Sequence, residues 1–255
     1  MTWARLLRSE FRKLTTTKMP WAFLAVLAVI AAINASAVIW GTDFDGSKTF
    51  ISTAADQRSL VAFAANATVI AGLFGAIAVA REYANHTVIP TFLSSPRRHR
   101  AVLAQLGAIA VGGAILGLVG SALTVVAVAV ALPTTDFDFL ISVAGLARVL
   151  AAAAYAGAAG AVLGAGIGAI VRNTGGAVTG AVLALIVAPP LIVQLVNDAS
   201  TWVPSPLATS LSGVDAEAAG VESQASVGAA LVALAVWALV PALVGLVAVE
   251  RRDVV

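Results

Sequence analysis

The chain has 255 residues, of which 60% are hydrophobic and only 11% are charged, and its mean hydropathy is +0.97. A soluble domain is typically about 45–50% apolar and about 25% charged, so this composition excludes an ordinary globular fold and indicates an integral membrane protein. From the net charge of +2 we infer no nucleic-acid partner, and the absence of cysteine excludes disulfides, thiolate metal sites and cysteine nucleophiles.

Residues 1–18 predict an amphipathic helix that lies along the membrane surface. Its apolar residues share one helical stripe and its basic residues fall mostly elsewhere: Trp3, Leu6, Leu7, Phe11 and Leu14 against Arg5, Arg8, Arg12 and Lys13. This is the pattern of an interfacial helix. The alternative is the charged start of a cleaved signal peptide, because Ala35-Ser36-Ala37 resembles a cleavage site. The length of the intervening apolar run favours the interfacial helix.

Six long runs without Asp, Glu, Lys or Arg predict six membrane-spanning helices. A helix needs about 20 apolar residues to cross the hydrocarbon core, and each run reaches that length. The predicted spans lie near 20–41, 59–80, 101–132, 144–171, 174–196 and 226–249. We therefore expect an all-α integral membrane fold, with one six-span domain over 19–255, because a helix satisfies its backbone groups within its own segment.

The third and fifth runs are expected to form irregular helices. The run 101–135 is too long for a simple crossing, since about 30 residues extend about 45 Å at 1.5 Å per residue. It must tilt, protrude or break. In the run 173–197, Pro189 and Pro190 lack N–H groups and predict a bend or a partly re-entrant turn near the outer end.

The distribution of basic residues predicts how the spans are oriented. With a cytoplasmic N-terminus, all 15 Lys and Arg residues fall on the cytoplasmic side except Lys48, Arg58 and Arg148. This asymmetry follows the positive-inside rule and places both termini in the cytoplasm. Arg148 is expected at the outer edge of the fourth span, with its long side chain extended to the lipid headgroups.

Glycines at four-residue spacing predict close helix packing. Gly160, Gly164 and Gly168 repeat in the fourth span, and pairs with the same spacing occur in the third and fifth spans, at Gly113 and Gly117 and at Gly176 and Gly180. Such faces let helix backbones approach closely in lipid. A chain rich in Ala and Gly also produces single pairs by chance, but three glycines in register on one helix favour a tightly packed bundle.

Few polar side chains lie within the predicted spans: Asn34, Asn66, Thr68, Ser121, Thr124, Thr179 and Gln194. We expect most of them to form hydrogen bonds between helices. A minority would line a path for a transported substrate, and the candidates for that role are Asn66, Thr68 and Thr179. Asn66 is the first of these, because its span leads into the charged segment 81–100.

The residues needed for catalysis are scarce. The two histidines, His86 and His99, both fall in the charged segment 81–100, so an intramembrane Ser/His dyad or a multi-histidine metal site is not expected. No G-x-x-x-x-G-K-[ST] phosphate loop occurs. We therefore expect neither an enzyme nor a metal or other cofactor in this chain.

Residues 81–100 are the largest connection on the predicted cytoplasmic side, so a cytoplasmic partner would dock mainly there and on the termini. The sequence Arg81-Glu82-Tyr83 is expected to continue the second helix, and Pro90 then forces a turn. Ser94-Ser95-Pro96 reads as a second helix start, followed by arginines at the lipid phosphate level. The alternative is that this segment only fixes the topology with positive charge.

Three short motifs lie near the two ends of the chain and in the segment 81–100. This segment contains Glu82-Tyr83, Thr87, Thr91-Phe92-Leu93 and Pro96-Arg97, an order that resembles the E-Y-x-x-G-T and T-L-x-x-x-P-R patterns of the ABC-2 type permeases of ABC transporters. Leu7, Ser9-Glu10 and Lys13-Leu14 resemble the L-x-S-E-x-x-K-L opening of that family, and Arg251-Arg252-Asp253 resembles its ending. His86 stands where the family pattern has glycine. If that position needs a positive φ, the local turn differs, because histidine adopts it only at a cost.

This resemblance implies a permease subunit of an ATP-driven exporter in a bacterial plasma membrane. The implied partners are two copies of a separate ATP-binding subunit, which carry ATP and Mg, and a second permease copy or paralogue. The segment 81–100 would be the coupling segment, with Glu82 and Tyr83 at its start, Thr87 near its turn, and Pro96 and Arg97 at its exit. A mostly apolar bundle suits a lipophilic drug, peptide or lipid-like substrate. The alternatives are a gradient-driven secondary transporter and a non-transporting scaffold or immunity protein.

Overall fold

A computed structural model describes residues 3–85, 98–196, 199–215 and 224–251. Within these ranges all regular secondary structure is helical. Ten α-helices are α1 Trp3–Thr16, α2 Met19–Trp40, α3 Ala54–Val61, α4 Ala64–Ala84, α5 Arg98–Ala131, α6 Val143–Val171, α7 Thr174–Val182, α8 Ala188–Leu195, α9 Pro204–Leu211 and α10 Val227–Arg251. Short 3₁₀ turns occupy Thr49–Ile51, Leu132–Thr134 and Ala199–Thr201, and a π-helical turn, Leu183–Val187, joins α7 to α8.

Six of these helical segments are long and apolar enough to cross a membrane. They are α2, α3 with α4, α5, α6, α7 with α8, and α10. The predicted all-helical fold with six apolar spans is confirmed on this point, and it indicates a multi-pass membrane protein. The side of the membrane that each end faces, and the interfacial position of α1, stay predictions.

α6 and α4 form the centre of the bundle. In the most apolar part of each segment, 56% of α6 and 61% of the α3–α4 segment are buried, against 17% for α2 and 28% for α10. α6 packs against α4, α5 and α10. The outer helices therefore turn most of their apolar side chains, chiefly Val and Leu in α10, away from the protein. That is the expected arrangement when lipid surrounds the bundle.

Glycines bring α6 into backbone contact with α4. A Cβ on Gly160 or Gly164 would overlap the carbonyl oxygen of Thr68 or Gly72 in α4, and one on Gly168 would lie 2.7 Å from the oxygen of Ala76. The three predicted packing glycines of α6 thus all contact the same helix, α4. A side chain larger than hydrogen does not fit at these positions.

Other glycines bring α6 equally close to α5 and α10. Gly157 of α6 and Gly113 of α5 each occupy the space where the other would carry a Cβ, and Gly166 of α6 lies against Pro241 of α10. In contrast, Gly176 faces side chains of its own turn, near Val171, so not every glycine at four-residue spacing joins two helices.

The two irregular spans differ from each other. α5 is one unbroken helix of 34 residues, so it extends about 51 Å at 1.5 Å per residue. The fifth span does not turn back at its two prolines. The π-helical turn precedes them, Pro189 and Pro190 lie at the start of α8, and helix continues to Leu195. A proline is tolerated at the start of a helix because its missing N–H is not needed there.

The bundle has two ends, which we call the α1 end and the loop end. The α1 end contains α1, the last turn of α4, the turn between α6 and α7, and the last turns of α10. The loop end contains residues 41–63, 132–142 and 199–226 as far as they are described. At the loop end the short helix α9 packs among α4, α6 and α10.

Gln57 joins two connections at the loop end. Its side chain is fully buried; its Nε2 donates to the carbonyl oxygens of Ile51 at 3.0 Å and Asp138 at 2.8 Å, and its Oε1 accepts from the N–H of Leu140 at 2.8 Å. Nearby, Lys48 Nζ donates to the carbonyls of Val38 and Ile39 at the end of α2. The loop end is therefore held mainly by hydrogen bonds to backbone groups.

Candidate functional site

Lys13 of α1 connects two glutamates at the α1 end. Its Nζ lies 2.8 Å from Glu10 Oε1 on the same helix and 3.3 Å from Glu82 Oε1 on the last turn of α4. The side chain of Glu10 is only 5% exposed and that of Glu82 16%, whereas that of Lys13 is 35% exposed. α1 is thus tied by charge to the start of the segment 81–100.

The surroundings of this cluster are largely apolar. Leu14, Ala78, Ala108 and Ile109 share with the three charged groups and Gln105 a cavity of about 10 Å³, roughly the size that one water needs. Burial alone would lower the pKa of Lys13, but the carboxylates of Glu82 and Glu10 together outweigh burial and raise that pKa above its usual 10.5. Lys13 therefore stays charged at neutral pH.

Tyr83 connects the same turn of α4 to two further elements. The guanidinium of Arg172 lies over its ring, with Cζ 5.2 Å from the ring centroid, which is a cation–π contact. Arg172 ends α6 in the left-handed conformation, with φ 61°, and its Nη2 donates to the carbonyl oxygen of Ala248 in α10 at 3.0 Å. Tyr83, Arg172 and Ala248 thus join α4, the α6–α7 turn and α10.

Glu82 and Tyr83 are therefore not a free docking surface. Both are partly buried and bonded within the chain, while their neighbours Arg81 and Ala84 are exposed. The structure brings these two predicted coupling residues together with α1, α6 and α10. The other three predicted coupling residues, Thr87, Pro96 and Arg97, lie outside the described residues.

The three predicted substrate-path residues do not share one environment. Asn66 of α4 and Thr179 of α7 are exposed. Thr68 is buried at 1% exposure, and its hydroxyl donates to the carbonyl of Ala64 one turn earlier. Thr124 also donates within its own helix, to Gly120, so the expected hydrogen bond between helices does not form at either threonine. Thr68 belongs to the packing contact with Gly160.

Arg148 at the loop end is bonded to the end of α9. Its Nε donates to the carbonyl of Leu211 at 3.0 Å and its Nη2 to that of Ser210 at 3.4 Å. The side chain is exposed and its guanidinium lies against the end of α9. Its extension to the headgroups stays a prediction. A guanidinium group needs hydrogen-bond acceptors, and the last carbonyls of α9, which have no partner within their helix, provide them.

Sequence reasoning missed the partners of these charged residues. The Glu10 and Lys13 spacing of three is the usual one for a helical ion pair, but nothing in the sequence shows that Glu82 completes it. Nothing in the sequence pairs Arg172 with Tyr83 or Ala248 either. In the described ranges no group of three or more His, Asp or Glu residues forms a possible metal site.

Comparison with known proteins adds no identification. No protein family matches the chain, and no characterised protein matches its sequence. The class of protein that the fold defines is therefore a six-span helical membrane protein, and a more particular function has to be inferred from its contacts.

Proposed function

We propose that the chain is the membrane-spanning permease subunit of an ATP-driven ABC exporter, which moves a lipophilic drug, peptide or lipid-like substrate across a bacterial plasma membrane. Two copies of a separate ATP-binding subunit, carrying ATP and Mg, and a second permease copy or paralogue are its partners. The N- and C-termini lie in the cytoplasm in this proposal, and so does the segment 81–100.

One observation carries the proposal: the start of the segment 81–100 is fastened to the rest of the bundle. Glu82 is paired with Lys13 on α1, and Tyr83 is in contact with Arg172, which also bonds α10. A displacement of this segment by a partner would therefore act on α1, α4, α6 and α10 together. A segment that only fixed the topology would need none of these contacts.

Glu82 and Tyr83 act in this proposal as positioning residues. Because both are bonded within the chain, they transmit movement of the segment 81–100 to the bundle and leave contact with the partner to exposed residues. Asn66 and Thr179, exposed on neighbouring spans, are the residues that we assign to the substrate path. Thr68 holds α4 against α6.

The test is affinity purification of the tagged chain from its native membrane in mild detergent, followed by identification of bound proteins and an ATPase assay. We expect a stoichiometric ATP-binding subunit. Glu82→Gln and Tyr83→Leu should keep this subunit bound but lower substrate transport in proteoliposomes several-fold, and Lys13→Met should resemble Glu82→Gln. Asp136→Asn, which makes the same carboxylate-to-amide change on an exposed residue at the loop end, is the matched control and should transport normally. Purification of a homogeneous chain with no ATP-binding protein and no ATPase activity would refute the proposal.

The gradient-driven alternative has one observation in its favour. Glu10 is a buried carboxylate and Glu82 a partly buried one, and both lie around one lysine and a small cavity. Buried acids are the usual proton-carrying groups of secondary transporters. Purified protein in liposomes without ATP distinguishes the two functions. Substrate uptake driven by an imposed pH gradient, and abolished in Glu10→Gln, would favour the alternative. If neither ATP nor a gradient drives transport, a scaffold or immunity role is left.

A further inference from the structure

Two arginines converge on the end of α9 at the loop end. Arg58 of α3 donates through Nη1 to the carbonyl of Gly213 at 3.0 Å, and Arg148 of α6 donates to the carbonyls of Leu211 and Ser210. The approach is close: a Cβ on Gly213 would lie 2.7 Å from Arg148 Cζ. Gly213 also has a φ of +70°, which favours glycine.

Capping of α9 explains only part of this positive charge. The C-terminus of a helix carries roughly half a negative charge, and α9 has only eight residues. Two guanidinium groups supply two full charges. Among the described residues neither arginine forms an ion pair, since the ion pairs found there involve Lys13. The end of α9 therefore balances only part of the charge of the two guanidinium groups.

Buried hydrogen-bond donors without a partner lie at the same place. Arg58 Nε is buried and has no acceptor in the described residues; it lies beside Gly145, in the first turn of α6. The hydroxyl of Ser212, the residue before Gly213, is fully buried and likewise has no partner there. An unsatisfied buried donor costs about 1–3 kcal/mol, so two at one site call for an acceptor.

We propose that Arg58, Arg148 and Ser212 form a binding site for a phosphate group, either free or carried by a lipid. Guanidinium groups match the geometry of phosphate oxygens, and the N-terminus of α6 adds a positive field. Arg148 is the exposed member of this site. This inference does not rest on the transporter proposal.

The first test is thermal unfolding of the full chain in an uncharged detergent, followed by tryptophan fluorescence while inorganic phosphate replaces chloride at constant ionic strength. Phosphate should raise the Tm of the unaltered chain. Ser212→Ala and Arg148→Gln should weaken phosphate binding about tenfold or more. Without phosphate, Ser212→Ala should keep or raise the Tm, because it removes a buried hydroxyl that has no partner among the described residues. Arg58→Gln should also weaken phosphate binding. If that variant fails to fold, Ser212→Ala tests the site in its place.

Lys48→Gln is the matched control. Lys48 also lies at the loop end and also donates to two carbonyls at the end of a helix, but its nitrogen is not among the buried groups without a partner. Its replacement should lower the Tm and leave the response to phosphate intact. An equal loss of response in Lys48→Gln would show that phosphate acts through general charge and would overturn the proposal.

A second arm distinguishes the source of the phosphate. In nanodiscs of phosphatidylcholine with phosphatidylglycerol, a lipid-filled site should no longer respond to added phosphate, whereas a site for free phosphate should respond as in detergent. No response to phosphate or to the anionic lipid would overturn the proposal. So would a response that appears only in Glu217→Gln/Glu222→Gln, because the chain's own carboxylates would then be the occupants.

Discussion

The two ends of the bundle are held together by different chemistry. At the α1 end, Lys13–Glu82 and Arg172–Tyr83 join helices through charged side chains that lie partly exposed. At the loop end, the buried side chain of Gln57 joins two connections through neutral hydrogen bonds. The basic side chains there, Lys48, Arg58 and Arg148, donate to backbone carbonyls. Charged contacts near a surface contribute little stability and respond to salt and to partners. The neutral hydrogen bonds of a buried side chain do not respond to salt. The α1 end is thus the one suited to change, and the loop end the one suited to stay fixed.

The largest effect is expected from the glycine contact between α4 and α6, the two helices at the centre of the bundle. In Gly164→Ala, the added Cβ overlaps the carbonyl oxygen of Gly72 and must separate α6 from α4, at a cost of about 3 kcal/mol or more. Thermal unfolding in detergent measures it. Gly228→Ala is the control, because no atom lies within 4 Å of a Cβ there. Equal stability of the two variants would show that the helices are not in backbone contact.

Gln57→Leu should break the loop end alone. It leaves the carbonyls of Ile51 and Asp138 and the N–H of Leu140 without their partner, at a cost of about 2–3 kcal/mol. Hydrogen exchange should accelerate in residues 132–142 and stay unchanged in α1. Gln194→Leu, which alters an exposed glutamine, is the control. Faster exchange at both ends would mean that the two ends do not open independently.

A double-mutant cycle on Lys13 and Glu82 tests the α1 end. Because Lys13 is about one-third exposed, we expect a coupling energy of only about 1 kcal/mol between Lys13→Met and Glu82→Gln. The readout is hydrogen exchange of α1, which should be faster in each single variant and little faster still in the double variant. Fully additive effects would show that α1 is held by its contacts with α5 and not by this ion pair.

The smallest effects are expected from pH, and they have opposite signs at the two ends. At the loop end, hydrogen bonds from Thr49 lower the pKa of Asp43 below 3.8. The contribution of Asp43 to the free energy of unfolding is therefore present above that pH and is lost in acid. At the α1 end, the pKa of Lys13 is raised above 10.5. The contribution of Lys13 to the free energy of unfolding is therefore present below that pH and is lost in alkali. Asp43→Asn should flatten the acid limb of the Tm profile, and Lys13→Met the alkaline limb. If Asp43→Asn changed the alkaline limb and Lys13→Met the acid limb, the assignment of the two pH effects to the two ends would be wrong.

The sequence predicted the parts of this molecule that depend on local pattern. Apolar runs of sufficient length define the spans, and Gly160, Gly164 and Gly168 were singled out as a packing face. The start of α3 was also readable but was missed: Thr53 and Asp56 form a capping box, with the spacing that such a box requires. Signals of this kind involve residues within one turn of each other.

The rest depends on partners that are distant in the chain. Gln57 bonds residues more than 80 positions away, at Asp138 and Leu140, and no composition or spacing marks it as a buried residue. Nothing within α1 marks Glu10 as buried, yet it lies buried beside α5 and is paired with Lys13. Long-range pairing of polar groups is set by the packed bundle, so it becomes visible only when the helices are assembled.

The glycines between α4 and α6 also limit how this sequence can vary. Every single-base change of a glycine codon that replaces the amino acid introduces a Cβ, and at Gly164 that atom overlaps backbone. No neutral first step away from glycine therefore exists at this position. The exposed Val and Leu residues of α10 face no such barrier, since either of them fills the same space against lipid. Related chains should therefore keep the first set of residues and exchange the second freely.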